Sequence, residues 1–138
     1  MPKDKGQAAI EYMSTVGIAL VIIMAMTLFA YTWTSAAKDT MYISTARSSV
    51  NALVEAADLV YAQGYPARTT VLVQIPQKVH SATITGNEIS IRIRVGSGFT
   101  DVHAVSKVNL QGELPTNSGY YNMLVKSEGY YVNVTQQS

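Results

Sequence analysis

Apolar and polar positions follow three different regimes along this chain. The first is continuous: from Tyr12 through Trp33 no residue carries an ionisable acid or base other than tyrosine. A run of that length is enough to cross a bilayer as a helix. A core helix of a soluble protein seldom stays apolar on every face for so long. Exposing Met13, Val16, Ile18, Leu20, Val21, Ile22, Ile23, Met24, Met26, Leu28 and Phe29 to water would cost roughly 15–30 kcal/mol, at about 1.5–3 kcal/mol each. That exceeds the whole stability of a small domain. The segment therefore needs lipid, a partner's core, or each in turn.

The second regime is a stripe. Ile43, Ala46, Val50, Leu53, Ala57 and Val60 recur at alternating spacings of three and four, the signature of one helical face. Val54 and Tyr61 are expected to widen it. Lys38, Asp39, Arg47, Glu55 and Asp58 fall largely beside it. Gly64 before Tyr65-Pro66 predicts the stop, because glycine accepts a left-handed cap and proline cannot continue the ladder. A helix from about Gln7 to Gln63 would be about 85 Å long at 1.5 Å per residue. The cluster Thr32 to Ser35 is where a bend is expected.

The third regime alternates. In EISIRIRV (88–95), Ile89, Ile91, Ile93 and Val95 share one face, with Glu88, Ser90, Arg92 and Arg94 on the other. TTVLVQI (69–75), KVHSATIT (78–85), YYNMLVK (120–126) and YYVNV (130–134) also predict strands, and Val102 to Leu110 is a candidate for another. Gly86-Asn87 and Ser127-Glu128-Gly129 are turns short enough for antiparallel hairpins. Gly96-Ser97-Gly98 and Glu113 to Gly119 read as loops. The predicted class is α+β: a long N-terminal helix, half hydrophobic and half amphipathic, packed on a small C-terminal antiparallel β-sheet domain.

Composition narrows the chemistry. Among 138 residues, 48% are hydrophobic and 14% charged, with a net charge of +1 and no cysteine. The small net charge steers the chain toward neither nucleic acid nor acidic substrates. Lack of cysteine removes disulfides, thiolate nucleophiles and Cys-type zinc sites. Asp101 and His103 would share a strand face, and His80 is the other histidine. No third ligand has metal-site spacing and no nucleophile motif accompanies the pair. Gly96-Ser97-Gly98 lacks the lysine and following helix of a phosphate-binding loop. Arg92 and Arg94 read as a solvated strand face. No enzyme, cofactor or metal is expected.

Lys3 and Lys5 precede the apolar run, which predicts a cytoplasmic N-terminus and an external remainder. Glu11 stands at the entrance to that run. The stretch KGQAAIEY, residues 5–12, resembles the border between leader and mature chain in archaeal type IV pilins made with a class III signal peptide. The matching positions are Lys5, Gly6, Gln7, Glu11 and Tyr12. Ala8 and Ala9 depart mildly from that pattern, where serine is frequent. The helix-then-sheet plan agrees over the whole length.

The resemblance implies a six-residue leader (1–6) cut by a prepilin peptidase between Gly6 and Gln7. The mature chain would hold a helix over 7–63, with 12–35 as membrane and filament-core segment, and a β head over 64–138. It implies a precursor in the cytoplasmic membrane, then a homopolymer built by helix–helix packing with an assembly ATPase and platform. Cleavage would create an α-amino group on Gln7, substantially charged at neutral pH, one helical turn from Glu11. A neighbouring subunit's amine would then offset the cost of a carboxylate in lipid and set the axial step between subunits.

Two other readings stand beside this one. Thr34-Ser35-Ala36-Ala37 resembles a conventional signal-peptidase site, which would release a soluble domain beginning near Lys38. A single-pass anchored binding module would share the topology without polymerising. Ser14, Thr15, Gly17, Ala19, Ala25, Thr27, Ala30 and Thr32 suit close helix packing and also occur in lone anchors. The pairs Tyr120-Tyr121 and Tyr130-Tyr131 are expected to place one ring on each face of a strand. Asn133-Val134-Thr135 is an N-glycosylation sequon in a segment expected outside the cell.

Overall fold

The computed structural model of the chain describes residues 2–138 and is α+β, as the periodicities predict. Helix α1 runs unbroken from Pro2 to Gln63, so helix begins inside the expected leader rather than near Gln7. Proline is tolerated in a first turn, where its missing N–H would lack a partner anyway. The expected bend region stays helical, and Thr32 and Thr34 hydroxyls donate back to the carbonyls of Phe29 and Ala30 (2.9 and 2.8 Å). Gly64 ends the helix at φ +81°. Its N–H donates to the carbonyls of Val60 and Tyr61, both at 3.1 Å.

The chain divides into two compact units, one ending at Lys38 and the other comprising Asp39–Ser138. The second half of α1 thus belongs with the strands. They are β1 (Arg68–Ile75), β2 (Val79–Thr85), β3 (Glu88–Val95), β4 (Gly98–Val105), β5 (Leu110–Gly112), β6 (Gly119–Ser127) and β7 (Val132–Gln136). Instead of one antiparallel sheet there are two sheets, ordered β1-β6-β7-β5 and β2-β3-β4. The second is wholly antiparallel, and its β2–β3 hairpin turns at Gly86-Asn87 as expected. The first is mixed, because β5 runs parallel to β7.

Gly112 shows why the parallel pairing needs this sequence. A Cβ built there would lie 1.8 Å from the Val134 carbonyl oxygen, and its φ is +129°. Only glycine permits that approach.

One core cluster fills the second unit. The helix contributes Ala46, Val50, Leu53, Ala57 and Val60, all essentially buried, with Ile43 packed against them. Ile89, Ile91 and Ile93 are fully buried from β3, and Val73, Ile75, Met123, Val125, Val132 and Val134 from the four-stranded sheet. The stripe is widened by Val54 and Ala56 and not by Tyr61, which is exposed.

Two strand expectations need correction. The candidate strand at 102–110 divides into the end of β4 and the start of β5, separated by a turn in which Val108 N–H donates to Ser106 Oγ (3.2 Å). Tyr130 precedes β7 and is almost fully exposed, so Tyr130-Tyr131 does not straddle a strand.

Candidate assembly surface

In the N-terminal unit Gly6, Gln7, Glu11 and Tyr12 all lie on α1 with exposed side chains. Gln7 and Glu11 are one turn apart and so share a helix face. Thr15 Oγ1 donates to the Glu11 carbonyl oxygen at 2.9 Å. The Glu11 carboxylate has no ion-pair partner among the described residues. Beyond it the apolar side chains from Met13 to Trp33 stand exposed. Phe29 and Trp33 touch, with ring centroids 5.8 Å apart. Ser14 and Gly17 leave an indentation bordered by Ile18, Val21 and Ile22. The helix is long and apolar enough to cross a membrane, and none of its most apolar window is buried among the described residues.

In the head, hydrogen bonds tie α1 to strand β1 and to two loops between strands, at three levels. Near its start, Lys78 Nζ donates to Asp39 Oδ1 at 2.8 Å and lies over the Tyr42 ring, 5.6 Å from its centre. The bond to Asp39 raises the Lys78 pKa. Lys78 holds a left-handed backbone (φ 65°), uncommon for a non-glycine residue. One level on, Ser49 Oγ donates to the Gln74 carbonyl (2.7 Å) and accepts from its N–H (3.2 Å). That caps the outer edge of β1, which would otherwise leave backbone groups unpaired beside the core. Near the end of the helix, Asp58 Oδ1 accepts from Ser106 Oγ (2.6 Å) and Lys107 N–H (3.0 Å).

Asp39, Ser49 and Asp58 were legible in the sequence only as polar positions flanking a stripe. Their partners lie in loops and strands 25 to 49 residues away.

The outer face of β2-β3-β4 carries the arginines. Arg92 forms a two-pronged pair with Asp101 (2.6 and 2.9 Å). The hydrogen bond from Arg92 lowers the Asp101 pKa and raises that of Arg92. His103 sits opposite Ser90, two residues from Asp101 on the same face. Arg94 lies over the Phe99 ring, which also meets His80 at 5.0 Å. Among the described residues no three His, Asp or Glu side chains converge as metal ligands would. Asn133 is half-buried in β7, between β5 and β6, in register with Gln111 and Lys126.

No family model matches the chain, and no curated protein or solved structure matches it significantly.

Proposed function

We propose that the chain is the structural subunit of an extracellular filament of the type IV pilus kind, polymerising through its hydrophobic N-terminal helix once the leader is removed between Gly6 and Gln7. The observation that carries this reading is the exposed apolar surface of α1 in a chain whose head holds its own core. That core lies within the head, whereas among the described residues the large apolar side chains from Tyr12 to Trp33 stand exposed. Lipid covers them in the precursor, and sibling helices would cover them in the polymer. KGQAAIEY at the mouth of the run supports the same view. Glu11, exposed and without an ion-pair partner among the described residues, is the group a neighbour's new Gln7 amine would meet. The pairing would act mainly on registry, since a buried ion pair adds little net stability.

The prepilin peptidase, assembly ATPase and platform belong to this proposal, as does passage from the cytoplasmic membrane to the cell surface. A single-pass anchored binding module is the competing function, because a membrane-length helix beside a folded head serves that role equally well. Electron microscopy of material sheared from cells, with mass spectrometry of the mature N-terminus, decides between them. Filaments built from chains beginning at Gln7 support the proposal. Full-length chains confined to the membrane support the anchor, and a soluble product starting near Lys38 excludes both.

A further inference from the structure

A groove of the head is the strongest feature that the filament reading leaves without a role. It runs beside three turns of α1 from Met41 to Ala52 and along the outer edge of β1. Its larger part encloses about 380 Å³ between Ser44, Ser48, Leu72 and Tyr120, and a second part of about 210 Å³ continues past Met41 and Gln77, the two sharing Thr45 and Gln74. None of the lining residues is charged, although Arg47, Glu55, Arg68 and Lys78 belong to the same unit. Met41, Leu72 and Tyr120 stand along it exposed by 63%, 63% and 69%. The wall is fixed at one end, where the Tyr42 hydroxyl bonds Gln77 (3.3 Å) and Lys78 covers the Tyr42 ring.

We infer that this groove receives the apolar helix of a second copy of the chain, at the turns just before Lys38. The inference rests on the filament proposal and assigns one of its contacts. A channel lined by hydroxyls and amides under apolar rims offers a charged occupant no opposite charge to replace its hydration. It suits a helix that brings no charge, laid in as an amphipathic helix lies in a groove. The stretch 27–37 is free of charge. Its threonines at 27, 32 and 34 already donate to carbonyls of their own helix, so covering them orphans no donor.

The groove hydroxyls of Ser44, Thr45 and Ser48 lie on a helix and can turn to the carbonyl one turn back in the same way. Ser49 is already engaged on both its donor and acceptor sides by β1. Because all copies enter the membrane in one sense, the two helices run parallel. Bringing residue 34 of one beside residue 48 of another then displaces those two copies by about 20 Å at 1.5 Å per residue. They are therefore not the adjacent pair whose Gln7 and Glu11 meet at a step of about 6 Å.

The chain has no cysteine, so paired cysteines report on this contact without background. Ser48→Cys and Thr34→Cys in one chain, expressed in cells that assemble the protein and mildly oxidised, should give a ladder of covalent oligomers. A ladder is expected because each copy offers both a groove and a helix, a head-to-tail contact. Disulfide formation demands Cα atoms within about 7 Å. Thr34→Cys with Thr83→Cys, on the outer face of β2-β3-β4, should give none. Should the doubly substituted chain not assemble, co-expressing the two single variants should give covalent dimers and no larger species.

Ser48→Glu should reduce filament yield at least tenfold while precursor in the membrane stays at its normal level. Filaments without the 34–48 bond, or with equal bonding from the 34–83 pair, overturn the groove assignment and leave the filament standing. If the unsubstituted chain makes no filament at all, the filament proposal falls and this inference with it.

Discussion

Gly112 is the residue whose replacement has the clearest expected cost. Alanine there would set its methyl against the Val134 carbonyl and hold an unfavourable φ. We expect Gly112→Ala to destabilise the head by more than about 2 kcal/mol, seen as a lower denaturant midpoint. Asp58 acts differently, accepting from a buried serine hydroxyl and a backbone N–H. Removing it takes the acceptor from the Ser106 hydroxyl proton and from the Lys107 N–H, although Ser106 Oγ still accepts from Val108 N–H. Asp58→Ala should therefore cost about 1–3 kcal/mol, measurable by thermal unfolding of the full chain in detergent. The exposed pairs should matter less.

The sign of their pH dependence follows from the shifts. Asp101 titrates below its ordinary range, so its contribution is present above that range and lost only as pH falls through the lowered value. Lys78 titrates above its ordinary value, so its contribution is complete below that value and lost only as pH rises through the raised one. Between pH 5 and 9 neither pair should change the unfolding midpoint. A slope in that window which disappears in Arg92→Ala would contradict this account.

At the scale of elements, the amphipathic half of α1 is what the head folds around. Leu53 is buried to 1% exposure and sits in the cluster that also holds the β3 isoleucines. Leu53→Ala should cost about 2–5 kcal/mol through lost transfer energy and an unfilled cavity, whereas Leu59→Ala, on an exposed side chain, should change little. Alternation made β3 legible because one face of that strand is dry and the other wet. Short β5 was not legible: three residues carry no period. Its pairing with β7 depends on Gly112 meeting a carbonyl from a distant strand.

For the whole molecule the division is between a head that closes its own core and an N-terminal unit that leaves its apolar surface open. Glu11→Gln keeps the shape and hydrogen-bonding capacity of the side chain and removes its charge. Under the proposed function it should lower filament yield while leaving membrane insertion and head stability unchanged, as read by microscopy of sheared material and by fractionation. Equal filament yield from Glu11→Gln and the unaltered chain would remove the ion pair from the assembly account.

Two properties were determined by sequence alone, the uninterrupted apolar helix and the stripe that follows it. Both are local periodicities, and a helix face or a membrane-length run depends only on neighbours within a few turns. The α+β class and most strands came from the same source. Tertiary structure alone decided that the strands form two sheets, that β5 pairs parallel, and that Asp39, Ser49 and Asp58 bind the helix to β1 and to loops between strands. It also created the uncharged groove between α1 and β1. Each of those depends on groups far apart in the chain meeting at hydrogen-bond or contact distance, and no local spacing encodes such a meeting.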